Sequence, residues 1–252
     1  MLVLLPPSEG KATGSDGPPL DLDALSFPAL TRTRKMLVTR LVRTATRQPG
    51  ALRKALQLSD NQHDELEKDR RLLTAPTLPA MELYTGIVYD NLSYATLPAA
   101  ARRRADESLV VASALFGLLR PADRVPSYRL SGSTTLPGLG GLGPVWRSPL
   151  EEELGRHGFV VDLRSGAYSG LARVPGAVEV RVLREAGGKR TVVSHDNKWT
   201  KGRLARALCL HGARSIAEVA ELGRAVSDAV EVDGRRVDLL LHGLASARES
   251  VR

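Results

Sequence analysis

The chain has 252 residues, 42% of them hydrophobic, enough to bury one core of ordinary size, and it is read as one domain spanning 1–252. Lys and Arg (36) outnumber Asp and Glu (28), giving a formal charge of +8 and a pI near 10.0; this favours polyanions such as nucleic acids, nucleotides or acidic lipid surfaces, unless an Arg- and Ala-rich composition alone accounts for it. A single cysteine, Cys209 between Leu208 and Leu210, excludes a disulfide framework and a thiolate metal cluster and points to a reducing cytoplasm; the apolar run ending at Pro6-Pro7 is too short for a membrane span or a signal sequence.

Leu2 to Leu5 reads as a buried strand that opens at two prolines into the loop Ser8 to Pro19. Leu30, Leu37, Leu41 and Ala45 recur near helical spacing and predict a helix over about 28–47; a second helix covers 51–58, and Ser59 or Asp60 caps a third running to about Leu73. The segment Leu83 to Leu92 reads as a helix breaking into a turn. Ala99 to Asp106 reads as a basic helix and Leu109 to Ser113 as a short strand. Between Ser131 and Pro144 seven residues are Gly or Pro, which predicts a loop without regular structure. Beyond it the pattern gives a helix over 149–156, strands over 159–163, 178–183 and 190–194, and a helix from about Lys198 to His211. Ile216 to Leu222 is a short helix, and Val230 to Leu241 a hairpin turning at Asp233-Gly234. The fold class is α/β (mixed α+β), a central mixed sheet with flanking helices.

Eight of the ten aromatic residues (Tyr84, Tyr89, Tyr94, Phe116, Tyr128, Trp146, Tyr168 and Trp199) fall in polar, Gly- or Arg-containing motifs. Two readings stand: platforms that stack on a base beside phosphate-binding cations, or amphipathic plugs that seal loops onto the core. Arg120, Arg124 and Arg129 surround Tyr128 on a proline-stiffened loop, where they form either an anion cradle or, with Asp123, structural pairs. In Ser194-His195-Asp196-Asn197-Lys198-Trp199-Thr200-Lys201-Gly202-Arg203, two lysines fall in or just before the first turn of a helix, where cations oppose the helix dipole. That placement suits a phosphate or carboxylate at the helix start. The alternative is a solvated pair on an exposed turn. Pro6-Pro7-Ser8-Glu9-Gly10-Lys11 lacks the spacing of a nucleotide-triphosphate loop, yet Ser8 and Lys11 remain site candidates. Five scattered histidines give no metal pattern, so no metal or cofactor is expected, and Cys209 between leucines does not look like a peroxide-reactive thiolate.

Taken in order, Leu5-Pro6-Pro7-Ser8-Glu9-Gly10-Lys11, Tyr84-Thr85-Gly86-Ile87-Val88-Tyr89, Ser113 to Pro121 with Pro126 to Leu130, Trp146, Val161 to Tyr168 and Asn197 to Arg203 resemble the bacterial peroxide stress proteins called YaaA over nearly the whole chain. The resemblance implies a fold of unusual topology with a positively charged cleft and a helix-hairpin-helix-like element associated with double-stranded DNA. It also implies a role in limiting iron-driven damage under peroxide stress. The hairpin maps most naturally to Leu115-Phe116-Gly117-Leu118, with Gly117 exposing backbone N–H groups to a phosphate. Better-known members carry Ser-Pro-Ala-Lys near the start, where this chain has Pro7-Ser8-Glu9-Gly10-Lys11, and a Lys-Lys-Ala-Arg-Gly run, where it has Lys198-Trp199-Thr200-Lys201-Gly202. The C-terminal region from Val230 to Gly234 lacks the aromatic ending of some members.

The expectation from these readings is a cytoplasmic stress protein that binds DNA or another phosphate-rich ligand. The candidate residues are Ser8, Lys11, Tyr84, Tyr89, Gly117, Arg120, Tyr128, Arg129, Trp146, Lys198, Lys201 and Arg203. The rival is an enzyme on a small nucleotide, nucleoside or nucleobase-type substrate in the same pocket, with Lys198 doing acid/base or Schiff-base work. A purely structural protein with a basic face is the third reading.

Overall fold

Leu2–Leu5 (β1) is buried at every position, as a strand must be when parallel neighbours flank it and helices cover both faces. In the computed structural model, which describes residues 1–14, 16–192 and 194–242 and of Ser194 the backbone only, β1 lies inside an eight-stranded sheet. The other strands are Leu109–Ser113 (β2), Gly117–Leu119 (β3), Val160–Asp162 (β4), Val178–Ala186 (β5), Lys189–Thr191 (β6), Ala229–Asp233 (β7) and Arg236–His242 (β8). Their order is β7-β8-β5-β4-β1-β2-β3, and β6 pairs with the end of β5. Pairings within β8-β5-β4-β1-β2 are parallel, whereas β3, β6 and β7 run antiparallel to their neighbours, so the sheet is mixed.

The principal helices are Thr31–Arg47 (α1), Ile87–Leu92 (α2), Ala99–Ser108 (α3), Leu142–Leu154 (α4), Ser194–His211 (α5) and Ile216–Arg224 (α6). On α1 the predicted periodicity holds: Leu37, Val38, Leu41 and Ala45 are buried, and the same stripe takes in Arg34. The Arg34 guanidinium is wholly enclosed and donates to the carbonyls of Phe116 (2.8 Å) and Leu118 (2.7 Å), pinning the β2–β3 hairpin to α1. None of the helices among the described residues is long and apolar enough to cross a membrane.

Several boundaries differ from the sequence reading: the second helix spans Pro49–Ala55, and the third, His63–Arg70, follows Gln62 and so is not capped by Ser59 or Asp60. The Gly- and Pro-rich stretch contains a two-stranded ribbon, Thr135–Leu136 with Gly140–Gly141, and α4 starts at Leu142 with Pro149 inside it instead of at its first position. The strand expected over 190–194 ends at Thr191, and α5 begins at Ser194, not Lys198. Residues 115–118 form no hairpin between helices. Leu115 and Phe116 lie in the turn of the buried β2–β3 hairpin and Gly117 and Leu118 begin β3; at the turn the Ser113 Oγ accepts from the amides of Leu115 (3.2 Å) and Phe116 (3.0 Å).

Chain order and sheet order together locate the place where a site can form. The connection leaving β1 leads to β2 on one side, and the one leaving β4 leads to β5 on the other, so the chain opens a crevice between the carboxyl ends of β1 and β4. In open α/β sheets such a switch point is where ligands bind.

Candidate functional site

At that crevice lies a cleft of about 670 Å³, within the size range of small-molecule sites. Pro6 to Gly10, directly after β1, line it together with Leu163, Ser165, Ala167 and Tyr168, directly after β4. Thr85 to Tyr89 from the start of α2, Ser131 and Ser133, Val192, and Asn197, Lys198 and Lys201 from α5 complete it.

The prolines that end β1 make its loop depend on side-chain anchors. The Ser8 hydroxyl donates to the Gly10 carbonyl (2.6 Å) and accepts from the Thr85 amide (3.1 Å), tying the loop to the segment before α2. Tyr89 donates to the Pro6 carbonyl (2.8 Å) and stacks on Tyr84, with ring centroids 5.7 Å apart. Behind this layer the hydroxyls of Tyr84 and Tyr128 meet at 2.8 Å, and that of Tyr128 meets Ser113 at 2.7 Å. Lys11 sits over the Tyr128 ring at 4.4 Å and donates to the carbonyls of Ser8 (2.9 Å) and Glu9 (3.4 Å). Burial, helped by Arg129 and opposed by Glu65, Asp69 and Glu9, pushes Lys11 down to about 8. Arg129 reaches back to Glu9 (3.2 Å), while its amide donates to the buried Asp69 (2.8 Å). Burial raises the Asp69 carboxyl well above its ordinary value.

α5 carries the cleft's cations. Its approach to α2 requires Gly202: a Cβ there would lie 2.4 Å from the Val88 carbonyl oxygen and 2.8 Å from the Asn91 Cβ. At the other side an ion pair between Asp196 and Arg184 of β5 holds the first turn. Lys198 and Lys201, three residues apart, therefore share the face turned to the cleft. Because α5 starts at Ser194, both lie beyond its first turn, which replaces the expectation of lysines around free helix-start amides. Lys198 is exposed, whereas Lys201 is only 6% exposed and donates to the Arg164 carbonyl at 3.1 Å. The nearby Asp162 is held in two bonds by the Arg164 guanidinium, Nε to Oδ1 at 2.9 Å and Nη2 to Oδ2 at 2.7 Å. Burial lowers Lys201 to about 8, with Asp162 and Glu179 acting in the opposite direction.

Of the residues singled out in the sequence, Ser8, Tyr89, Lys198 and Lys201 line the cleft. Lys11, Tyr84, Tyr128 and Arg129 form the layer that holds its first loop. Four lie elsewhere. Gly117 is buried at φ +73°, and a Cβ would come within 2.7 Å of the Trp146 ring. Trp146 is itself core, donating to the Ala114 carbonyl at 2.8 Å. Arg203 is exposed, stacked 4.6 Å from the Trp199 ring on another face of α5. Arg120 follows β3, which runs antiparallel, so it ends at the opposite rim, bonded to the Glu107 carbonyl and lying 5.1 Å from the Phe27 ring. The arginine cradle therefore does not form: Arg124 goes to the Thr77 carbonyl (2.9 Å) and Arg129 to Glu9.

Outside the twelve candidate residues, Asn197 and Tyr168 face the cleft and Asp69 backs it. Tyr168 carried a signal, an aromatic in the run after β4. Asp69, in the polar helix His63–Arg70, carried none. Cys209 is buried, and burial raises its thiol to about 12 against the pull of Arg104 and Arg206, which makes it a poor nucleophile.

The sequence model of the family described as peroxide stress protein YaaA matches residues 1–226. The chain is similar to the UPF0246 protein SCO2297 of Streptomyces coelicolor, with 44% identity over 96% of this chain and 99% of that protein. It is similar also to the UPF0246 protein CE1889 of Corynebacterium efficiens, with 43% identity over 96% and 99%. A UPF0246 protein of Bacteroides thetaiotaomicron is 34% identical over 60% of this chain and 65% of its own length.

Proposed function

Starting from the fact that this chain belongs to the peroxide stress protein YaaA family, we propose that the cleft binds a small anionic ligand with a planar part, such as a nucleotide or a phosphorylated aromatic compound. Its oxygens face Lys198 and Lys201, its ring lies against Tyr89 and Tyr168, and the hydroxyls of Ser131 and Ser165 supply further polar contacts. The observation that carries this reading is Lys201. An ammonium offers three donors, and this one, almost withdrawn from solvent in the wall of a cleft, has one protein acceptor among the described residues. A bound anion supplies the missing partners.

Calorimetric titration with nucleoside phosphates and phosphorylated aromatic compounds tests the reading. Binding by the wild type that weakens at least tenfold in Lys201→Met supports it. Equal binding by both, or none across the panel, overturns it. The family description attaches the ligand's role to peroxide stress, and survival of a deletion strain under peroxide, restored by the wild type and not by Lys201→Met, connects the cleft to that role.

A second reading keeps duplex DNA as the partner, on a different surface. What favours it is α1, which contains no acidic residue and exposes Arg32, Arg43 and Arg47. Binding there is carried by phosphate contacts and falls steeply with salt. Gel-shift titration at two salt concentrations, with Arg43→Glu/Arg47→Glu weakening the complex and Lys201→Met leaving it intact, is the expected pattern; absence of a complex at low salt rejects it.

A further inference from the structure

The two cleft lysines stand in different chemical surroundings. Lys198 is exposed, with water free to solvate its charge. Lys201 is nearly excluded from solvent, and its protein partner is a neutral main-chain carbonyl at 3.1 Å. Asp162, the carboxylate nearest to hand for neutralising it, is consumed by the bidentate Arg164. Lys11 makes an internal comparison. It too is withdrawn from water, but it donates to two carbonyls, lies over the Tyr84 and Tyr128 rings, and does not line the cleft. Lys201 alone combines a cleft position with surroundings that favour the neutral amine over the ammonium.

We infer that Lys201 is a nucleophile that forms an imine with a small carbonyl compound bearing an anionic group, the anion held by Lys198 and the planar part against Tyr89 and Tyr168. The inference rests on the proposed small-ligand function of the cleft and narrows its ligand to aldehydes and ketones. The nitrogen lone pair attacks the carbonyl carbon, a C–N bond forms, and the proton shed by nitrogen passes through cleft water to the oxygen. The carbinolamine then loses that oxygen as water, so amine and carbonyl become imine plus water with no oxidant or reductant. Lys198, three residues earlier on the same face, is placed to hold a phosphate or carboxylate while the carbonyl end goes deeper.

The charged groups around Lys201 are Asp162, Glu179 and Arg164. Asp162 and Glu179 favour the ammonium, yet burial outweighs them and holds Lys201 at about 8. At pH 7.5 about a quarter of the side chains are then neutral, against about one in a thousand for a lysine at 10.4.

Pyridoxal 5′-phosphate, an aromatic aldehyde with a phosphate, is a suitable probe, trapped with cyanoborohydride and located by peptide mass spectrometry among the seven lysines of the chain. The expected result is about one label per chain, on Lys201, forming at least tenfold faster than on any other lysine, with a rate that rises through pH 8. Lys201→Arg abolishes that label, Lys198→Gln slows it several-fold, and Lys189→Arg, an exposed lysine outside the cleft, leaves it unchanged. Labelling that follows solvent exposure, or that prefers Lys198, overturns the inference; the map of the wild type decides this even if a variant misfolds. Pyridoxine 5′-phosphate, the alcohol, separates the two layers of the argument. If it binds by calorimetry while the aldehyde is not trapped on Lys201, the imine fails and the binding cleft stands. If neither occurs, both fail.

Discussion

Replacing Lys201 by Met is expected to stabilise the protein while weakening binding of the anion proposed for the cleft. The folded state holds the Lys201 proton only up to about pH 8, whereas the ordinary value is 10.5. At about 1.36 kcal/mol per unit, the difference amounts to about 3 kcal/mol of cost carried by the folded state below pH 8. Methionine fills nearly the same volume without charge but leaves the Arg164 carbonyl lacking its donor, a loss of about 1 kcal/mol. The net gain at pH 7 is therefore about 2 kcal/mol, or about 4–8 °C in Tm for a chain of this size. The sign of the pH dependence follows from the protons. Between pH 8 and 10.5 the unfolded chain binds more of them, so wild-type stability rises with pH and the advantage of the variant shrinks, to below about 1 kcal/mol at pH 9.5. Urea denaturation of both proteins at pH 7 and pH 9.5 measures this. A variant less stable than wild type at pH 7, or one whose gain is the same at both pH values, refutes the claim that Lys201 is an uncompensated buried amine.

Gly202→Ala places a methyl group 2.4 Å from the Val88 carbonyl oxygen and pushes α5 away from α2. It is expected to cost about 1–3 kcal/mol by denaturant titration and to slow pyridoxal phosphate trapping on Lys201 at the same time. Gly117→Ala combines a backbone at φ +73° with a contact of 2.7 Å to Trp146, for an expected loss of about 2–4 kcal/mol, read as a lower denaturation midpoint and a shifted tryptophan emission. Arg34→Met strips the Phe116 and Leu118 carbonyls of their donors inside the core, and a loss of about 2–4 kcal/mol is expected in thermal unfolding. Cys209, raised to about 12 by burial, is expected to resist a thiol reagent such as dithionitrobenzoate in the folded protein and to react at once in urea.

What the sequence revealed follows the range over which each signal acts. β1, β2 and the hairpin at Asp233-Gly234 were legible because apolar runs and turn residues act locally, and Gly234 has the positive φ that such a turn requires. The start of α5 was misplaced for a local reason too: Ser194, Asp196 and Asn197 are residues favoured at helix caps, yet all three lie inside the helix. The arginine cluster left a cradle and structural pairing equally open, because nearness in sequence does not say whether three residues share a face. The chain turns at Pro121-Ala122 and sends Arg120, Arg124 and Arg129 to three different partners. For Tyr84 and Tyr128 the sequence left platforms and plugs both open, and the structure fits the plug: their hydroxyls bond each other and both rings are buried. Asp69 is invisible by pattern because its hydrogen-bond partner, the Arg129 amide, lies sixty residues away in the sequence.

The net charge of +8 favours polyanions and the family resemblance implies a positively charged cleft, but the structure divides that charge. The cleft wall holds Lys198, Lys201 and the carboxylate Glu9, a modest charge in a concave space sized for a small molecule. Outside the cleft, α1 exposes Arg32, Lys35, Arg43 and Arg47 and contains no acidic residue. A polyanion and a small anion need different things: the first a broad row of solvated cations, the second a few desolvated donors in an enclosed geometry. The two proposed sites use different cations, so variants of α1 are expected to leave binding of a small anion intact and variants of Lys201 to leave binding of duplex DNA intact. Had the cations been gathered in the cleft, no such separation would be possible.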